Sequence, residues 1–153
     1  MQKINLVAVI GPTASGKTDF AVAIAERLNG EVISCDSMQI YRGMDIGTAK
    51  PTPEETRGVP HHLIDIVEPS DPFSAADYAV LASAAVSDIV SRGKLPIFCG
   101  GTGLYLDAAL TGNKYSPAAK DEELRRELLD TAKRDGAEVL WSRLNSVDPV
   151  SAE

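Results

Sequence analysis

"INLVAVIGPTASGKTDFAVAIAERLNGEVIS", residues 4–34, changes its hydrophobic period twice, and those changes set the architecture. Ile4 to Ile10 is a short apolar run of branched side chains closed by Gly11 and Pro12, as expected of a strand buried on both faces of a parallel sheet. From Lys17 the period becomes helical. Phe20, Ile24 and Leu28 fall on one face, joined by Ala21 and Ala25, and Gly30 after Asn29 is expected to stop the helix. Glu31 to Ser34 reads as a second strand. Between the first strand and the helix lies "GPTASGKT", residues 11–18, which satisfies G-x-x-x-x-G-K-[ST] through Gly11, Gly16, Lys17 and Thr18. Glycines let successive N–H groups turn into one cavity, and the following helix adds its positive end. Backbone donors from Thr13 to Thr18 and the Lys17 charge suit phosphate oxygens, and the Thr18 hydroxyl suits Mg²⁺. Gly11, Pro12, Thr13, Ala14, Ser15, Gly16, Lys17 and Thr18 are therefore the expected diphosphate- or nucleotide-binding segment. The pattern does not name the phosphate, since ATP, GTP or another diphosphate would meet the same donors.

Working outward, Cys35 to Pro72 is rich in Gly, Pro and charge and is expected to be mostly irregular, with a short strand at His62–Val67. Ser74 is a predicted helix N-cap, with Asp77 completing a variant capping box. Tyr78, Leu81, Ala82, Ala85 and Ile89 share the next helical face, and Gly93 ends it. Leu95 to Gly101 reads as a buried strand running into a glycine turn, followed by a helix over Thr102–Leu110. Lys120 to Arg134 is strongly helical, with a narrow stripe of Leu124, Leu128 and Ala132 among solvated charges. The alternation predicts an α/β fold with a mainly parallel, P-loop NTPase-like sheet flanked by helices. Residues 1–117 are the expected core, and 118–153 the start of a helical insertion.

Composition narrows the function. A net charge of -7 counts against a broad cationic surface for nucleic acid, though not against a local cationic site. Aromatic residues are 5%, too few for a surface of stacking platforms. Cys35 and Cys99 are expected to be buried free thiols in a reducing compartment. The N-terminal apolar run is too short for a membrane span and lacks a signal-peptide cleavage site, so a cytoplasmic location is expected. His61 and His62 would point to opposite faces of a strand and make a poor chelating pair. Trp141 reads as a packing residue.

A second constellation follows the second strand: "DSMQIYRGMDIGTAKP", residues 36–51. Ligands of such sheets bind at the carboxyl ends of the strands, which puts Asp36 on the edge that carries the phosphate loop. Read alone, Asp36 is also compatible with a turn aspartate, and Gln39 and Tyr41 with surface residues. Together with "HHLIDIVEP" (61–69), the Ser74–Asp77–Tyr78 stretch and "GGTGLY" (100–105), this pattern closely resembles the tRNA dimethylallyltransferases, or tRNA isopentenyltransferases, from about Asn5 to Pro149.

The resemblance implies transfer of a dimethylallyl group from dimethylallyl diphosphate to N6 of the adenine 3′-adjacent to the anticodon in tRNA, with Mg²⁺. It implies Asp36 as general base, and Lys17 and Thr18 acting on the leaving diphosphate. Asp36, Ser37, Met38 and Gln39 would line the target-nucleotide site, with the Gln39 amide pairing to an adenine edge. Thr102 and Arg125 match tRNA-contacting positions. Their plainer readings are a helix N-cap for Thr102 and a solvated helix charge for Arg125. The anticodon stem–loop and dimethylallyl diphosphate are the implied partners, with no membrane and no obligate protein partner.

The chain departs from the family by closing at "NSVDPVSAE", residues 145–153, in what resembles the middle of a family member. The resemblance implies that family members continue with an arginine-bearing segment that helps hold diphosphate and tRNA, beyond the residues of this chain. A truncated chain is expected, with weak diphosphate binding, little or no transferase activity, and an exposed sheet edge. The competing readings are an adenylate isopentenyltransferase acting on free adenine nucleotides, a small-molecule kinase, and a catalytically dead binding domain.

Overall fold

Parallel pairing of four strands gathers the loops of interest onto one edge of a sheet. The computed structural model describes residues 5–111 and 121–153. In chain order the elements are β1 (Val7–Ile10), α1 (Lys17–Leu28), β2 (Gly30–Cys35), α2 (Pro53–Thr56), β3 (His61–His62), α3 (Ala75–Ser91), β4 (Leu95–Gly100) and α4 (Gly103–Thr111). Then come α5 (Glu122–Asp135), α6 (Ala137–Val147) and α7 (Pro149–Ala152). The chain divides into two compact units, Met1–Ser116 and Pro117–Glu153. The expected boundary between 117 and 118 lies outside the described residues.

In the first unit the sheet order is β1-β4-β2-β3, with every neighbouring pair parallel. Alternate side chains of β2 and β4 face opposite sides, as the period of a strand requires. Ile33, Cys35 and Phe98 pack with Tyr78, Ala82 and Ile89 of α3 and Tyr105 of α4. Val32, Ile97 and Cys99, with Val9, pack on Ala21 and Ala25 of α1. The two cysteines are buried, free, and on opposite faces. Tyr78 stacks on Tyr105 with centroids 4.2 Å apart, and its hydroxyl donates to the Ser34 carbonyl.

Several sequence expectations need correction. Described β1 begins at Val7 and is an edge strand with Ile10 43% exposed, not a strand buried on both faces. Ile4 lies outside the described residues. On α1 the buried stripe is Ala21, Val22 and Ala25, because small side chains let the helix lie close over β4 and β2. Phe20, 62% exposed, and Ile24 instead flank a shallow cavity beside β1. Asn29, with φ 52°, caps α1, and Gly30 opens β2. The expected strand at His62–Val67 shrinks to β3 and a single bridge between Tyr41 and Val67, because Leu63 and Asp65 adopt positive φ. The predicted capping box at Ser74 and Asp77 is formed, but Leu81 is more exposed than its face suggested.

In the second unit Asp121 caps α5 by accepting from Leu124 N, and Arg125 is exposed on that helix. Lys120 lies outside the described residues. Trp141 is 52% exposed and ties α6 to α7 by donating its indole N–H to the Ala152 carbonyl, rather than filling a core. Among the described residues no helix is long and apolar enough to cross a membrane.

Candidate functional site

Three loops meet at the carboxyl edge of the sheet. The phosphate loop leaves β1, the Gly101–Thr102 turn leaves β4, and Asp36 follows β2, so the glycine turn is the spacer between the other two. Its two glycines are dictated by space. A Cβ on Gly100 would sit 2.1 Å from the Cys35 carbonyl oxygen, and one on Gly101 would sit 3.3 Å from the Gly11 oxygen. Gly11 N donates to Gly100 O, and Thr102 N to Cys35 O. Thr102 reaches further. Its hydroxyl oxygen accepts from Ser37 N at 3.0 Å and lies 3.3 Å from the Ser37 hydroxyl. Thr102 does occupy the position before α4, where its carbonyl accepts from Leu106 N, but its side chain is turned to the Asp36 loop.

The phosphate loop has the backbone its sequence requires. Gly16 takes φ 80° at the start of α1, and Ala14 takes φ 61°. The Ser15 hydroxyl and the Lys17 ammonium both donate to the Pro12 carbonyl. Pro12 to Gly16 are exposed, and Lys17 and Thr18 are half-buried.

Asp36 sits in a tight local turn in which its Oδ1 accepts from Met38 N at 2.9 Å. Thr13 of the phosphate loop, Asp36, Met38 and the segment Gly43–Ala49 line one cleft of about 570 Å³. Under the sheet edge the thiols stay protonated at neutral pH. Burial pushes Cys35 up to about 11, aided by the Asp36 charge. Burial also raises Cys99, with Lys17 opposing and Asp36 assisting.

The far wall of the cleft, Gly43–Ala49, lies within the 36–51 stretch, although none of its residues was an expected site residue. It is braced from behind by Gln39, whose Oε1 accepts from the Ser34 hydroxyl at 2.9 Å. The Gln39 Nε2 donates to the carbonyls of Thr48 and Ala49 at 3.3 and 3.1 Å. Both amide hydrogens are thus used inside the protein. Lys50 is the second brace, with its ammonium on Tyr41 O, Asp45 Oδ1 and Asp65 Oδ1. A lysine three positions after a glycine and five after an aspartate, in a stretch without secondary-structure periodicity, was the signal available in the sequence.

Of the expected site residues, the structure brings Thr13, Asp36 and Met38 to one cleft, places Ser37 on Thr102, and puts Gln39 behind the wall. Arg125 belongs to the second unit. Among the described residues no group of three or more His, Cys, Asp or Glu could hold a metal. His61 binds the Val59 carbonyl through Nδ1, and His62 pairs with Glu31, so the two histidines share no ligand.

Comparison with known proteins gives a consistent set of similarities. The family model described as IPP transferase matches residues 39–153. A tRNA dimethylallyltransferase of Geobacillus kaustophilus (strain HTA426) is 54% identical over 97% of this chain and 47% of its own length. Among solved structures, a full-length tRNA isopentenylpyrophosphate transferase from Bacillus halodurans superposes with a TM-score of 0.73 at 52% identity, over 98% of this chain and 50% of that one. A eukaryotic dimethylallyltransferase acting on tRNA gives 0.85 at 32% identity, over 98% of this chain and 37% of that one. The chain spans about half the length of the curated relatives it matches.

Proposed function

The chain belongs to the IPP transferase family, and from that premise we propose that it carries the diphosphate and acceptor parts of a dimethylallyl-transfer site. The reaction is transfer from dimethylallyl diphosphate to N6 of the adenine 3′-adjacent to the anticodon in tRNA. One observation supports this best: Thr13 of the phosphate loop and Asp36 line the same cleft. A diphosphate on the loop and an acceptor base beside Asp36 would then be close enough to react.

An adenine N6 amine is a weak nucleophile, because its lone pair is delocalised into the ring. The transfer forms the N6–C1 bond, breaks the C1–O bond to diphosphate, and releases a proton from N6. Backbone N–H groups of Thr13 to Thr18 and the Lys17 ammonium would stabilise the charge that grows on the departing diphosphate. The Pro12 carbonyl takes one of the three Lys17 ammonium hydrogens, which leaves two for the diphosphate. Asp36 would take the proton. Met38 N binds its Oδ1 and so fixes the carboxylate, which keeps acceptor capacity for the proton.

Mg²⁺ usually binds through few protein ligands together with phosphate oxygens and water. That suits a chain whose described residues hold no carboxylate cage. Thr18 is the residue that would hold the ion, which would neutralise charge on the diphosphate. The acceptor adenine must leave its stack to enter the cleft, where Met38 would meet it. Ser37 and Gln39 hold the cleft in shape, and Thr102 and Arg125 would contact tRNA. This reading places the protein in the cytoplasm, with tRNA and dimethylallyl diphosphate as partners and no obligate protein partner.

The test supplies labelled dimethylallyl diphosphate, Mg²⁺ and an anticodon stem–loop to residues 1–153, alone and within a chain of the relatives' length. Label is expected on the RNA with the longer chain, and little or none with residues 1–153 alone. The substitution Asp36→Asn should slow its appearance by roughly 10²–10⁴. Label on free AMP but not on RNA would replace tRNA with a nucleotide acceptor. No transfer to either by the longer chain, or an unchanged rate in folded Asp36→Asn, would overturn the reading.

A further inference from the structure

Lys50 stands out among the charged residues of the first unit. Its side chain is only 6% exposed, and lysine is almost never buried without partners. All three ammonium hydrogens have one here: Tyr41 O at 2.6 Å, Asp45 Oδ1 at 2.8 Å and Asp65 Oδ1 at 2.6 Å. Those acceptors come from three places. Tyr41 precedes the cleft wall, Asp45 belongs to it, and Asp65 follows β3.

We propose that Lys50 is a positioning residue: its buried ammonium clamps the Gly43–Ala49 wall of the cleft and so sets how tightly the cleft grips an RNA acceptor. The inference rests on the reading that this cleft takes a tRNA nucleotide. Two carboxylates share the one cation, so without it Asp45 and Asp65 face each other with like charge, and the wall is pushed outward. Asp65 is well suited as the fixed anchor. It adopts φ 57°, its N–H donates to Gln39 O, and its carbonyl accepts from Arg42 Nε. The wall has few internal bonds of its own: Ala49 N to Ile46 O and Lys50 N to Asp45 O, both 3.2 Å, and the Thr48 hydroxyl to the Met44 carbonyl. Burial alone would lower the Lys50 pKa, yet Asp45 and Asp65 hold it above its ordinary value, so the clamp stays charged at neutral pH.

The clamp predicts a local effect that general loss of stability would not give. In Lys50→Met, the amides of Ala49 and Lys50 should exchange hydrogen about tenfold faster or more, while those of β2 and β4 keep their wild-type rates. Affinity for an anticodon stem–loop should fall by a similar factor, with affinity for inorganic pyrophosphate unchanged. The double variant Lys50→Met/Asp65→Asn, which removes one of the repelling carboxylates, should recover part of the loop protection. Unchanged exchange at Ala49, acceleration spread evenly through β2 and β4, or no recovery in the double variant would each overturn the proposal. A wild-type chain that binds no stem–loop, even at the relatives' length, overturns the acceptor reading of the cleft. The exchange pattern then decides the clamp independently.

Discussion

The two loops that face each other across the glycine turn are built by opposite means. The phosphate loop hangs from β1, an edge strand, and satisfies itself: Ser15 and Lys17 both turn back to the Pro12 carbonyl. The Asp36–Lys50 segment hangs from β2, inside the sheet, and is tied outward to Thr102, Val67, Asp65 and Ser34. Under the proposed function the difference follows from what each would hold. Backbone N–H groups that converge on a diphosphate need a repeating local conformation, which glycines and a helix start supply without help. A cleft for a neutral base has no such charge to organise it, so its walls must be fixed by the protein beforehand. Preorganisation on the acceptor side is therefore the property to attack.

The largest effect is expected where the two sides meet. Gly100→Ala would drive a Cβ to 2.1 Å from one backbone atom of Cys35 and 2.3 Å from another, and backbone cannot swing aside as a side chain can. The cost should exceed about 3 kcal/mol, the upper part of the range for overpacking, and would appear as a lower urea midpoint. Gly47→Ala, in the cleft wall with open space around it, is the matched control and should be near neutral. Equal effects of the two would mean that the β4–β2 approach does not fix the acceptor side.

At the opposite edge of the sheet, Glu31 anchors the strands from which the acceptor loop hangs. Its buried carboxylate binds Arg92 twice, Lys94 and His62. Arg92 above all holds its pKa well below the ordinary 4.5, against burial, with Lys94 and His62 adding to the effect. A depressed carboxylate stabilises the fold fully above its unfolded value and loses that contribution as pH falls toward the folded one. Wild type should thus lose Tm progressively below pH 4.5, and Glu31→Gln should lack this share of the decline. At pH 7 the substitution should cost roughly 2–3 kcal/mol, less than a fully buried pair, because solvent reaches Arg92 and Lys94. An acid profile identical to wild type would remove Glu31 as the anchor.

The sequence made the phosphate-loop motif legible and left much of the Asp36–Lys50 segment hidden, for the same physical reason. "GPTASGKT" is local: each residue serves its own loop, so a short pattern carries the whole structure. The α/β order, the cap at Ser74 and the strand at Leu95 were legible because period and capping are also local signals. Lys50, Gln39 and Asp65 act on partners from 5 to 26 positions away, so a short local pattern does not reveal the set they form. Edge position misled as well. "NLVAVI" has the composition of a central strand, yet β1 pairs with β4 on one side and leaves Ile10 and Phe20 exposed. Composition reports what a strand would bury, while neighbours decide what it does bury.

The smallest effect isolates the hydroxyl that ties the glycine turn to the Asp36 loop. Thr102→Val keeps the shape of the side chain but removes the acceptor for Ser37 N. One hydrogen bond at a half-buried site is worth about 1 kcal/mol, and faster exchange at the Ser37 amide should accompany that loss. Thr102→Ser restores the oxygen and should restore both readouts, since the lost methyl contributes less than the bond. A residue that served only to touch RNA would leave stability and Ser37 exchange the same in Val, Ser and Thr. Those three equal values would break the link between the glycine turn and Asp36. A fall in Val alone would show that Asp36 is held in place before any acceptor arrives.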